Sequence, residues 1–127
     1  MSGKKTADAQ LERLRGAPAL VRWLVMEAGC WVLGSRADFV HNRIDGQSDW
    51  DILVEPHNWQ RVAAVVTSQE QVGPTKLVGW RLEAHAGRPR IDIIVASLSD
   101  MMVLQHTYAA WHPKSGQMLV KFTLEGS

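Results

Sequence analysis

Apolar residues recur along the chain in two rhythms, and the changes of rhythm divide it into elements. Leu11 and Leu14 stand at helical spacing among charges, which predicts a helix from Ala7 to Arg15, interrupted by Gly16 and Pro18. Proline is accepted in a helix's first turn, so Pro18 predicts the start of a second helix. That helix carries Ala19, Leu20, Trp23, Leu24 and Ala28, with Gly29 at its C-terminal cap. Cys30-Trp31-Val32-Leu33 reads as a short strand ended by Gly34-Ser35. Arg36 to His41 has the makings of a short helix, and Asp45-Gly46 marks a turn. Trp50 to Val54 is a second strand, stopped by Pro56, and Asn58 is a candidate N-cap for a helix through Trp59, Val62, Ala63 and Val66. Gly73-Pro74 breaks the chain. Lys76 to Ala84 and Arg90 to Ala96 read as strands joined by a hairpin connection over His85 to Pro89. Ser97 to Trp111 is predicted helical, capped by Ser97 or Ser99, and a turn over His112 to Gly116 leads to a last strand from Met118 to Leu124. Strands and helices interspersed in this order predict an α+β or α/β sheet with helices packed on it.

Two strands interrupt their apolar pattern with acids. In Asp49-Trp50-Asp51, strand geometry puts residues i and i+2 on the same face, with Cα atoms ~6.6 Å apart. Trp50 and Ile52 then point to the opposite face, into a core. Two carboxylates held that close repel unless a cation lies between them, and Mg²⁺ or Mn²⁺ prefers such oxygen donors. Asp-x-Asp by itself is commonly a turn or a solvated edge. The strand Arg90-Ile91-Asp92-Ile93-Ile94-Val95 carries a third acid. Asp92, embedded among apolar residues, is expected at a strand end, paired with Arg81, Arg88 or Arg90, or bound to a metal. All three acids converge only if the two strands are neighbours. Gly34-Ser35 directly follows a strand, where a glycine lets backbone amides approach a phosphate and the serine hydroxyl adds a donor; most Gly-Ser pairs are only turns.

Taken together, Leu33-Gly34-Ser35-Arg36-Ala37, then Ser48-Asp49-Trp50-Asp51-Ile52-Leu53-Val54, then Ile91-Asp92-Ile93 resemble the nucleotidyltransferase superfamily, the DNA polymerase beta-like fold. The Gly-Ser-Arg-Ala and Ser-Asp-x-Asp pieces look most like its minimal members in bacteria, archaea and mobile elements. The resemblance covers about residues 19–96. It implies an α+β fold, with a mixed central sheet of about four to five strands and helices mainly on one face. It also implies a metal-dependent transfer of a nucleoside monophosphate from a nucleoside triphosphate, such as ATP, to a hydroxyl. Asp49, Asp51 and Asp92 would hold Mg²⁺ or Mn²⁺ and form the catalytic set. Gly34 and Ser35 would hold the triphosphate, with Arg36 as a phosphate contact or a surface ion-pair partner.

Thirteen residues separate Ser35 from Asp49, a long spacer for this pattern, and about thirty residues follow Ala96, where many members carry a helical domain. The expectation is a single domain over 1–127 with a protein or RNA acceptor, a partner subunit or a second copy. A non-catalytic nucleotide- or partner-binding regulatory module on the same fold, or one half of a toxin–antitoxin or phage-defence pair, are the competing readings.

Composition narrows the setting. The 127 residues suit one domain, with 46% apolar and 21% charged residues. Apolar runs fall short of the ~20 residues of a membrane helix, and Met1 to Gln10 is polar, so the expectation is a cytoplasmic chain without membrane contact. A lone cysteine, Cys30, excludes an internal disulfide framework and reads as a small buried hydrophobe. A net charge of +1 gives no footprint for duplex nucleic acid. The five histidines, His41, His57, His85, His106 and His112, show no metal spacing. Most of the six tryptophans are expected to fill the core, Trp80 and Trp111 included, although both are of a type that can stack a nucleobase.

Overall fold

A computed structural model describes residues 14, 16–37, 47–66, 78–85, 87–104 and 107–122. The predicted first helix (Leu14 aside), most of the short helix at 36–41, the 45–46 turn, the 73–74 break, and His41 and His106 lie outside the described residues. The described chain is α+β, with a mixed six-stranded sheet. In order, its elements are α1 (Ala19–Arg22) with a π-helical turn (Trp23–Glu27), β1 (Trp31–Leu33), a 3-10 turn (Gly34–Arg36) and β2 (Trp50–Val54). A second 3-10 turn (Pro56–Asn58), α2 (Trp59–Val66), β3 (Val78–Leu82), β4 (Ile91–Val95), α3 (Leu98–Leu104), β5 (Thr107–His112) and β6 (Gln117–Phe122) follow.

The strands lie in the order β3-β4-β2-β1-β5-β6. Only β2 and β4 are parallel, and every other pair is antiparallel. The hairpin expected between Lys76 and Ala96 is present as β3 against β4. Alternation along the strands sorts side chains to two faces. On one face Val32, Trp50, Ile52, Val54, Leu82, Ile91, Ile93 and Trp111 are buried with Val21, Leu24, Val25, Val62 and Val66 of the helical segments. Each such side chain withdrawn from water contributes roughly 1.5–3 kcal/mol. On the other face Trp31, Leu33, Leu53 and Ala110 form a smaller cluster capped by Met101 of α3.

Three sequence expectations change. The helix predicted from Pro18 to Ala28 is α-helical only to Arg22; the Ala28 N–H then donates to Trp23 O, five residues back, at 3.0 Å. This wider turn leaves sequence neighbours Leu24 and Val25 both fully buried. It ends as expected at Gly29, whose φ of 73° suits glycine. Asn58 takes on a second task beside the expected position before the helix: its side-chain amide donates to Ala28 O and ties the turn before α2 to the end of the π segment. The predicted helix from Ser97 to Trp111 is the largest error. Ser97 caps it, accepting from the Asp100 N–H at 3.1 Å, but the helix stops at Leu104 and Thr107–His112 forms β5. Thr, Tyr and Trp favour a pleated surface, and the segment gains ladders to both β1 and β6. The sheet thereby has six strands, one more than the upper expectation.

Candidate active site: a carboxylate pair beside a glycine turn

Asp51 and Asp92 are direct partners in the parallel register of β2 and β4, so both project from one face of the sheet. The strand adjacency that periodicity left open is therefore present. Asp49 stands just before β2, close enough for its charge to act on the Asp51 carboxyl. The core face of the same strands is filled by Trp50, Ile52, Ile91 and Ile93, which fixes the pleat and leaves the acids no alternative orientation.

The glycine turn closes one side. Leu33 pairs with Asp51, and Gly34 follows with φ 72°. A Cβ at Gly34 would stand 3.1 Å from Asp51 Oδ2, so the residue type allows both the left-handed turn and the close approach of backbone to carboxylate. Ser35 lies in the 3-10 turn that Gly34 starts. Arg36 is turned to Ser48: its Nε and Nη2 donate to Ser48 O at 3.2 and 2.6 Å, and its guanidinium lies 4.1 Å from the Trp50 ring centroid. Arg36 thus joins the glycine turn to the residue preceding Asp49, across the spacer.

Two arginines hold the other acids. Arg81 Nε donates to Asp92 Oδ1 at 2.8 Å from the cross-strand position on β3. Arg90 Nη2 lies 2.6 Å from Asp49 Oδ2, and its Nε lies 3.6 Å from Asp92 Oδ2. That buried Nε makes no hydrogen bond among the described residues. Of the three arginine partners anticipated for Asp92, Arg88 is absent: it donates to Glu83 O at 2.7 Å. The pairing of Arg90 with Asp49 was missed, although Arg90 and Asp92, two residues apart, share a face by the same alternation. Asp51 has no ion-pair partner among the described residues. The Asp51 carboxyl is raised to about 6, by burial first, then by the nearby charges of Asp92 and Asp49 and a hydrogen bond shared with Asp92, with Arg90 acting against the rise.

Hard oxygen donors with excess like charge are the chemistry that suits a divalent cation. The side chains as they stand do not form a converged set: no group of three His, Cys, Asp or Glu placed to hold a metal ion occurs among the described residues. Arg81 and Arg90 occupy positions beside Asp92 and Asp49 where added positive charge would go. Arg90 holds Asp49 Oδ2, so a cation engaging that acid together with Asp51 would compete with the guanidinium for its charge.

Trp111 is fully buried, and Trp80 stacks on Trp59 at 4.3 Å over the helix-covered face. Neither is placed to stack a base beside the acids. Cys30 is buried, which pushes its thiol up to about 12 against a smaller opposing influence of Arg61. No helix among the described residues is long and apolar enough to cross a membrane. No family model matches the chain, and comparison with curated proteins and with solved structures returns no match.

Proposed function

We propose that this protein is a metal-dependent nucleotidyltransferase that moves a nucleoside monophosphate from a nucleoside triphosphate to a hydroxyl. The observation that carries the reading is the register match of Asp51 with Asp92, set directly against the Gly34 turn. It is the arrangement that the resemblance of the three motifs to minimal nucleotidyltransferases implies. Asp49 and Asp51 would hold Mg²⁺ or Mn²⁺, with Asp92 completing the set. Such an ion, when bound, supplies Lewis-acid stabilisation of charge on the phosphoryl oxygens.

The remaining work falls to the chain itself. Backbone N–H groups at the start of the Gly34–Arg36 turn have no acceptor within that turn, and would bind phosphate oxygens. Asp92, whose Oδ1 accepts from Arg81 and whose Oδ2 faces Arg90 Nε at 3.6 Å, would take the proton of the attacking hydroxyl. The acceptor oxygen then bonds to the α-phosphorus, the bond from that phosphorus to its bridging oxygen breaks, and pyrophosphate departs. Positioning on a rigid parallel strand pair is the protein's main contribution.

A second reading is a regulatory module that binds nucleotide or a partner without turnover. The observation favouring it is that Arg81 and Arg90 neutralise Asp92 and Asp49 within the chain. One set of measurements separates the two. Mn²⁺-dependent binding of ATP, GTP, CTP and UTP is compared between wild type, Asp49→Asn and Asp51→Asn, and pyrophosphate release is followed with candidate RNA and protein acceptors. The enzyme reading expects binding to be lost in both variants, and Asp92→Asn to keep most binding while losing release. Binding that ignores both substitutions removes the site. Binding by wild type without release for any nucleotide and acceptor leaves the regulatory module, whereas release and labelling confined to a partner protein point to the toxin–antitoxin half.

A further inference from the structure

A concavity of about 320 Å³ opens at the end of the sheet where β1 begins and β2 and β5 end, away from the carboxylates. Trp31, Glu55, His57, Asn58 and His112 line it, together with Ser115 and Gln117. Glu55 lies four residues beyond Asp51 along β2, ~13 Å away at the usual strand rise, so this cleft is separate from the carboxylate pair.

Its hydrogen-bonding groups are unevenly used. The Trp31 indole N–H donates to Glu55 Oε1 at 3.2 Å. His112 Nδ1 accepts from the Ser115 N–H at 3.1 Å, so its other ring nitrogen, Nε2, is the one that donates, to Gly29 O at 3.0 Å. The Ser115 hydroxyl donates to His112 O and accepts from the Gln117 N–H. A carbonyl cannot donate, so the Asn58 atom on Ala28 O is Nδ2, which leaves Oδ1 as an acceptor. The donors of Trp31, His112 and Ser115, and one N–H of Asn58, are therefore engaged within the protein. Glu55 Oε2 is 3.6 Å from His57 Nδ1, beyond hydrogen-bond distance, and Glu55 is the charged carboxylate of the lining.

A cleft with spare acceptors, one carboxylate and two aromatic walls is complementary to a cation that carries its own donors. The Trp31 and His112 rings meet edge to face at 5.0 Å and form those walls. A guanidinium fork seeks both oxygens of a carboxylate, and Trp31 already holds Oε1. An ammonium needs one oxygen and turns its remaining donors to other acceptors, here Asn58 Oδ1. From this imbalance we propose that the cleft is a binding site for a primary alkylammonium group, carried by a small amine or by a lysine side chain.

The test is titration of the full chain with n-butylammonium chloride, followed by the resonance of the Trp31 indole N–H. The same titration uses 1-pentanol as an uncharged probe one heavy atom longer, and acetyl-lysine-amide as a peptide probe. Saturable shifts with n-butylammonium, absent with 1-pentanol, and weakened about tenfold or more in Glu55→Gln are expected. Glutamine keeps an oxygen for the Trp31 indole, and the 1-pentanol comparison stands on wild type alone should that variant fold poorly. Tighter binding of acetyl-lysine-amide than of n-butylammonium assigns the site to a lysine side chain, and the reverse assigns it to a free amine. Equal response to amine and alcohol, no saturable shift with either amine, or undiminished binding in Glu55→Gln overturns the proposal.

Discussion

The two faces of the β2–β4 pair are built from adjacent residues and do opposite things. Trp50, Ile52, Ile91 and Ile93 are sealed against the helices and hold the fold together. Asp51, interleaved with them and set beside Asp92, is a buried carboxylate without an ion-pair partner among the described residues and acts against it. A period of two lets one strand pair do both, since the buried face fixes the register in which the acids must meet. A face that costs stability in a protein with only a narrow margin is expected where chemistry is done.

The contrast breaks first on the core face. Ile93→Ala, from a fully buried site, should lower stability by about 2–5 kcal/mol in urea unfolding. A loss near zero would mean that this face does not anchor the pair.

The carboxylate face should respond with the opposite sign. Asp51 binds its proton up to about 6 in the folded chain, whereas an unfolded aspartate releases it near 4. Between these values the folded state holds the extra proton, so stability falls as pH rises through the window and is level above it. Asp51→Asn should remove that fall and raise stability at pH 7 by roughly 1–3 kcal/mol. Denaturation profiles at pH 4 and pH 7 that remain parallel for the two proteins would contradict it.

Gly34→Ala joins the two costs, a left-handed φ and a Cβ set 3.1 Å from Asp51 Oδ2, and should destabilise by about 1–2 kcal/mol. In the double variant with Asp51→Asn the penalty should shrink if the carboxylate contributes to it. The smallest change is expected on the buried side: the Cys30 thiol, shielded and raised to about 12, should react with a disulfide reagent only at the rate of global opening.

Much of this was legible from residue order. That Asp51 faces away from Trp50 and Ile52 followed from alternation alone, and β1, β2, β3 and β4 were expected close to where they stand. The β2–β4 adjacency was not legible, because pairing between strands almost forty residues apart leaves no local periodicity; the motif resemblance supplied that expectation. β5 was misread as helix because Leu98 to Leu104 sets up a helical rhythm that Tyr108 and Trp111 continue by chance, while its stability as a strand comes from β1 and β6. The contact of Arg90 with Asp49 depends on the same long-range neighbour and was invisible for the same reason. The Glu55 cleft joins residues from three separate segments and left no sequence signal.

The most direct test of the central claim is a Mn²⁺ titration followed by electron paramagnetic resonance, with and without ATP. Wild type should take up Mn²⁺, take it up more tightly with ATP, and lose the uptake in Asp51→Asn. Equal Mn²⁺ uptake by wild type and Asp51→Asn, or none by wild type with ATP present, would contradict a metal–nucleotide site on this face.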